Sequence, residues 1–62
     1  MQYWLKVIFT DNQELKLDNA KKHFISDDLE VLEITTISEV IIIPVRQIKY
    51  IACDSKIFKD EN

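Results

Sequence analysis

The chain has 62 residues, 47% of them hydrophobic, with a formal net charge of −3, one cysteine and no glycine. The acidic balance argues against a general nucleic-acid binder, whose surface is normally basic. The lack of glycine excludes Gly-rich phosphate loops. One cysteine and one histidine cannot supply an internal disulfide or a structural zinc site. We therefore expect no cofactor and one small core, completed by dense packing or by a partner.

No segment of the sequence predicts export or insertion into a membrane. Met1 leads directly into a strand-like segment, without the basic and apolar regions of a secretory signal. The longest apolar run, Val40 to Val45, is far too short to span a bilayer. The sequence therefore predicts a cytoplasmic protein with a free thiol and no membrane partner. Its wealth of isoleucine, lysine and asparagine is typical of an AT-rich bacterial or phage genome.

The first part of the chain predicts an antiparallel hairpin. Apolar residues alternate from Gln2 to Thr10, and the alternation resumes from Glu14 to Asp18. Asp11 and Asn12 lie between the two strands, and both residue types tolerate the positive φ angles of a tight turn. The side chains expected to face the core are Tyr3, Leu5, Val7, Phe9, Leu15 and Leu17.

The segment from Asn19 to Asp28 loses the period of two. Ala20 and Phe24 lie four residues apart, which fits one or two helical turns. An irregular loop in which Phe24 and Ile25 fill part of the core fits the same residues. The sequence favours a loop with a single turn.

The remaining chain predicts three more strands. In the third, which starts at Leu29, the apolar phase changes between Val31 and Leu32, which predicts a β-bulge. Composition predicts a turn over 35–38. The fourth strand, 39–45, and the fifth, 48–53, are linked by a tight connection at Val45-Arg46-Gln47, because Pro44 cannot donate to a ladder and belongs at a strand end or edge.

Five short strands, a longer excursion after the second and a very short link before the fifth resemble the small-barrel class, SH3-like or Sm-like. The resemblance covers roughly residues 2 to 53 and rests on element order and spacing. It implies a five-stranded barrel with a one-turn 3₁₀ link between strands four and five. Sm-type RNA-binding motifs, which need glycine, cannot be placed on this chain. The expected organisation is one domain, 1–53, followed by a polar tail, 54–62, which either frays or docks Ile57 and Phe58 on the body.

No group of residues predicts catalysis or metal binding. Cys53 ends an apolar strand, where cysteine usually acts as a small buried hydrophobe, and nothing identifies His23 as a base or ligand. The acidic cluster lacks the spacing and the glycine of a calcium loop, so a solvated rim is the better interpretation. The members of the cluster are Asp27, Asp28, Glu30 and Glu33.

A small set of basic and aromatic residues is the candidate for contact with nucleic acid. Arg46 and Lys49 flank the tight turn close to Tyr50, and Lys21 and Lys22 lie in the excursion. Cations next to aromatic rings can bind and stack single strands. Because acidic residues outnumber basic ones, 11 to 8, this is the alternative hypothesis.

The unusual feature of the chain is apolar surplus on both faces of two strands. Trp4 and Ile8 lie opposite the core set of the first strand. On the fourth strand Ile41, Ile43 and Val45 share one face, and Val40 and Ile42 the other. A barrel of this size has only one interior, so one set needs a cover. Phe24, Ile57 and Phe58 of the same chain could cover this set, or it could form a homo-oligomer interface, and the sequence leaves both explanations open.

The sequence thus predicts a non-enzymatic interaction module that self-associates or joins a larger assembly. The candidate interface is Trp4, Ile8, Ile41, Ile43 and Val45. The alternatives are the nucleic-acid-binding barrel and a phage or mobile-element inhibitor of a host protein, to which only charge and composition point.

Overall fold

The computed structural model describes residues 2–58. Five antiparallel strands form one sheet in the order β4-β3-β2-β1-β5, with two short 3₁₀ helices, η1 and η2. The predicted mainly β class and the 3₁₀ link before the last strand are confirmed. The elements are β1 (Tyr3–Phe9), β2 (Glu14–Ile25), β3 (Val31–Thr36), β4 (Val40–Pro44), η1 (Val45–Gln47), β5 (Ile48–Cys53) and η2 (Ser55–Phe58).

The hairpin of β1 and β2 forms as the sequence predicts. Leu5 lies opposite Leu17 and Val7 opposite Leu15, so the apolar sets of both strands share the inner face. Asn12 has a φ of 71° in the connecting turn. The amide side chain is one of the few non-glycine types that tolerate this left-handed conformation, which explains how a chain without glycine makes the turn.

The predicted loop or helix over 19–28 is wrong as far as Ile25, because β2 continues to that residue; 26–28 do lie in a turn. Its second half pairs with β3, and the register of that pairing shifts between Ala20 and Lys22. A bulge inserts an extra residue and interrupts the period of two. Lys21 and Lys22 are accordingly both exposed. The loss of the apolar alternation, which indicated a loop, is therefore caused by this bulge inside one long strand.

Ala20 is the residue at which the sheet folds over. It lies opposite Tyr3 of β1 on one side and Thr36 of β3 on the other, and it is fully buried. The first half of β2 pairs with β1 and the second half with β3, so β1 and β3 are two strands apart in the sheet yet share one core. The buried members of this core are Tyr3, Leu5, Val7, Ala20, Leu32, Ile34 and Ile43.

A closed barrel is not confirmed. Within residues 2–58, β4 and β5 are the two ends of the sheet and do not pair with each other. The outer edge of each of these two strands therefore has no hydrogen-bonded neighbour strand in the described chain. β4 is the edge strand beside β3.

The bulge predicted between Val31 and Leu32 is also wrong. Leu29 belongs to the turn before β3, with a φ of 61°, and β3 then alternates regularly from Val31. The turn is held by Asp28, whose carboxylate accepts hydrogen bonds from the Ser26 hydroxyl at 2.6 Å and from the Glu30 N–H at 3.1 Å. The phase change in the sequence therefore marks the end of a turn.

The segment after β5 docks by one of its two apolar residues. Ile57 is half-buried and packs against the core, whereas Phe58 is exposed. The Asp54 N–H donates to the Trp4 carbonyl at 3.1 Å, which ties the start of this segment to β1. The rest of the predicted tail, 59–62, lies outside the described residues.

The fold at Ala20 gives a stability prediction. We expect Ala20→Leu to lower the free energy of unfolding by about 1–3 kcal/mol, since the added carbons must enter a site enclosed by β1 and β3. Urea denaturation measures the change. The control Lys22→Leu adds a leucine on the exposed side and should stay within about 0.5 kcal/mol of the parent chain. An unchanged midpoint for Ala20→Leu would contradict the tight bend.

Candidate interaction surface

The structure decides which face of β4 is covered. Ile41 lies opposite Ile34 and Ile43 opposite Leu32, so both point to the inner face. Ile43 is only 6% exposed and belongs to the core, and Ile41 is half-buried against it. Burial leaves Ile43 little side-chain surface for a partner. The exposed residues on the other face of β4 therefore replace Ile43 as the candidate contact residues.

The opposite face of β4 is an exposed apolar row, which we call the outer row: Val40, Ile42 and Pro44. Val40 is 54% exposed and Ile42 60%. Pro44 is exposed as well. Isolated exposed apolar residues are ordinary, but three successive ones on an edge strand form a continuous strip.

Intramolecular cover of the outer row is not observed among residues 2–58. Phe24 shares the outer face, but Glu33 of β3 lies between it and Ile42 in the ladder. Ile57 packs on the core, and Phe58 lines a groove elsewhere with Phe24. The three side chains that the sequence offered as a cover thus leave Val40 and Ile42 exposed.

The free edge of β4 presents a short set of backbone groups. The Thr36 N–H donates to the Glu39 carbonyl at 2.9 Å and the Val45 N–H to the Glu30 carbonyl at 2.8 Å. Because hydrogen-bonded positions alternate along an antiparallel pair, the N–H and C=O groups of odd-numbered β4 residues face β3. Those of Val40 and Ile42 face away from the sheet. Pro44 has no N–H, and as the N-cap residue of η1 its carbonyl accepts the first hydrogen bond of that 3₁₀ turn.

The other predicted interface residues have different environments. Ile8 is buried, with Glu14 and Tyr50 as its neighbours across the two ladders, so it offers little surface to a partner. Val45 is half-buried in η1. Trp4 is exposed on the outer face of β1.

The predicted basic set is distributed over separate elements. Lys21 and Lys22 lie in the second half of β2, Arg46 lies in η1, and Lys49 and Tyr50 lie in β5. Lys49 is held locally, since its Nζ donates to Asn12 Oδ1 at 2.6 Å. The ladder pairs Lys22 with Thr35 and Tyr50 with Ile8, so it does not make neighbours of these two groups.

A basic pair that the sequence analysis missed lies on β1 and β2. Lys6 is directly opposite Lys16 on the outer face, which also carries Trp4 and Tyr50. Like charges directly opposite each other are destabilising in a sheet, so the pair is notable. The hairpin register, which the sequence predicts, was the signal that could have found it.

The inner face opens into an apolar groove between the end of β2, β5 and η2. Its volume is about 590 Å³. His23 and Cys53 lie on its wall, which makes it the one place in the described chain where a base and a thiol line a common groove. The lining residues are His23, Phe24, Ile25, Leu32, Ile51, Cys53, Ser55 and Phe58.

His23 is paired with Tyr3 rather than poised for chemistry. The Tyr3 hydroxyl lies 2.6 Å from His23 Nδ1, and the rings meet edge-on with centroids 5.6 Å apart. With a neutral imidazole protonated on Nε2, Tyr3 donates and Nδ1 accepts. Burial lowers the pKa of His23, while burial and, to a lesser degree, Cys53 raise the pKa of Tyr3. Both groups are thus uncharged at neutral pH.

The remaining titratable candidates have structural roles. Burial, and secondarily the Asp54 carboxylate, raises the pKa of the Cys53 thiol, which favours the unreactive thiol form. The hydrogen bond from Ser26, followed by that from the Glu30 N–H, lowers the pKa of Asp28 and fits its role in the turn. Among residues 2–58, no three histidine, cysteine or carboxylate side chains are grouped as metal ligands.

Comparisons with protein-family models, curated proteins and solved structures found no match to this chain. In the described part of the chain, no helix has the length and apolar character needed to cross a membrane. The function therefore has to be argued from the surface itself.

The His23 environment predicts a specific pH dependence. The pKa of His23 is lowered from 6.5 in the folded chain, so the unfolded chain binds more protons between the two pKa values. We expect the contribution of His23 to the free energy of unfolding to be constant above about pH 7.5 and to fall as the pH drops below about 6.5 towards the folded pKa.

Urea midpoints at about pH 7.5 and 5.5 measure this fall, which His23→Gln should reduce. Tyr3→Phe keeps the apolar ring over the imidazole, so it should keep most of the fall, since burial is the cause of the lowered pKa. A parent chain that is more stable at the lower pH would contradict the assignment.

Proposed function

We propose that the protein is a non-enzymatic protein–protein interaction module that self-associates through β4. The observation that carries the proposal is the outer row on a free strand edge: Val40 and Ile42 are more than half exposed, and their backbone groups point away from the ladder. The raised pKa of the Cys53 thiol and the pairing of His23 with Tyr3 support a non-catalytic role for the groove.

The energetic argument concerns the size of the domain. A chain of this length has a marginal core and often gains stability from a partner. Burying the exposed half of an isoleucine or valine side chain contributes on the order of 1 kcal/mol. An unprotected VIII edge is an aggregation hazard, since only Glu39 and Pro44 bound it. A specific partner on β4 resolves both problems.

We also propose that the fold is SH3-like, with β4 and β5 left unpaired, and that the protein is cytoplasmic. The element order, the bent second strand and the 3₁₀ link before β5 support this assignment. In such an arrangement β4 lies at one end of the sheet and is available for contact without any change in the core.

The outer row gives a test of self-association. We expect the parent chain to form an oligomer in light scattering across a dilution series, and Ile42→Lys to dissociate it, since the ammonium group would be buried without a partner charge. The matched control is Phe58→Lys, which places the same charge at an exposed apolar position on η2. A parent chain that is monomeric at the highest concentration would contradict self-association.

A second candidate function is binding of single-stranded nucleic acid to the outer face of β1. Trp4, Tyr50 and the opposed pair Lys6 and Lys16 share this face. Stacking of bases on aromatic rings and neutralisation of phosphates are the two elements of such binding. The net charge of −3 opposes it, which is why it ranks second.

The single tryptophan gives a direct test of this second function. If the face binds nucleic acid, an oligonucleotide at low salt should quench the fluorescence of Trp4, and added salt should reverse the quenching because condensed counterions are restored. Lys6→Glu should abolish it, with Lys56→Glu as the control, which makes the same charge reversal at an exposed lysine of η2 that is not assigned to the binding face. No quenching at low salt would remove this candidate.

A further inference from the structure

We propose that a second copy of this chain pairs with β4 in an antiparallel, symmetric register, with Ile42 opposite the partner's Ile42 and Glu39 next to the partner's Arg46. The inference rests on the proposed self-association and specifies its geometry. It follows from the backbone groups, the side-chain faces and the charges of β4.

The free backbone groups of β4 match themselves in this register. Ile42 and the partner's Ile42 exchange two hydrogen bonds, and each Val40 N–H donates to the second lone pair of the partner's Pro44 carbonyl, which η1 also uses, so two shared bonds are added. Pro44 has no N–H and is followed by η1, so the ladder ends there. The edge is therefore self-complementary and of limited length, as a closed dimer requires.

The side-chain faces also match. Residues directly opposite in an antiparallel pair share a face, so Ile41 meets the partner's Ile43 on the inner side and Val40 meets the partner's Pro44 on the outer side. The inner face of each sheet thus continues into that of its partner. Ile42, which is more exposed than Val40, lies on the symmetry axis.

Charge complementarity selects a second copy as the occupant. Glu39 precedes β4 and Arg46 follows it, and both are exposed. The extended chain between them separates the two charges by roughly 20 Å, too far for an ion pair within one molecule. An antiparallel partner reverses the direction, which brings Glu39 opposite the partner's Val45 and beside the partner's Arg46, at both ends of the pair.

Neighbouring registers fit less well. A shift of two residues that centres the pair on Ile41 also gives four hydrogen bonds, between Val40 of each copy and Ile42 of the other, but it places the Glu39 carboxylate opposite the partner's Ile43, which is buried, and away from the partner's Arg46. The opposite shift, centred on Ile43, loses the bonds of Val40 and meets the missing N–H of Pro44. The other free edge, β5, carries Lys49, a residue type that discourages edge pairing.

Charge reversal tests the register. We expect Glu39→Arg and Arg46→Glu each to raise the dissociation constant of the homodimer by roughly tenfold or more, because each places like charges together at both ends. An equimolar mixture of the two variants should restore the dimer. One end of the mixed dimer then joins the introduced arginine to the introduced glutamate, and the other end keeps the native pair of Glu39 and Arg46.

The double variant Glu39→Arg/Arg46→Glu should also dimerise, because it exchanges the two charges at both ends and keeps them opposite in sign. Sedimentation velocity measures the two single variants, their mixture and the double variant beside the parent chain. Lys21→Glu is the control for a reversed surface charge, since Lys21 is exposed on β2, away from the edge of β4.

The outcomes separate this inference from the proposed function. If both single charge variants still dimerise while Ile42→Lys dissociates the dimer, the contact between Glu39 and the partner's Arg46 is contradicted, and self-association through the outer row is retained. Variants that dissociate but are not restored by mixing overturn the antiparallel register. A monomeric parent chain overturns both. Restoration by mixing supports the symmetric pair, because a folding defect in either variant would not be repaired by the other.

Discussion

The structure depends on the double pairing of Ala20. One residue of β2 lies opposite β1 on one side and β3 on the other, with register shifts in both ladders beside it. Ala20 is enclosed between β1 and β3, where only a small side chain fits. The bend folds one five-stranded sheet over itself, so that Leu5 of β1 and Ile34 of β3 belong to one core.

The same bend decides where the exposed apolar surface of the fold lies. Folding the sheet over gives β4 a covered inner face and leaves its edge and outer row without a neighbour in the described chain. The apolar surplus of the strand is thereby divided: Ile41 and Ile43 stabilise the core, and Val40 and Ile42 are free to stabilise an assembly. A core element and the proposed interaction surface are thus two sides of a single run of five residues.

The polar groups of the interior serve packing. Tyr3 and His23 satisfy each other at the wall of the inner groove, where an unpaired hydroxyl or ring nitrogen would be costly. The thiol of Cys53 is kept protonated by its surroundings. The groove is thus lined by neutral groups, while charge is placed at the ends of the exposed edge, where it can select a partner and a direction.

The sequence by itself determined the strands of the hairpin, the turn at Asn12, the tight link before β5 and the apolar surplus of β4, because these follow from local periodicity and turn chemistry. The 3₁₀ form of the link was implied by the resemblance to small barrels. It could not determine the second half of β2, since a bulge at Ala20 breaks the period that defines a strand. Nor could it tell the two faces of β4 apart, as both are apolar. Which face is buried depends on what packs against it, and only the fold of the sheet at Ala20 supplied that neighbour.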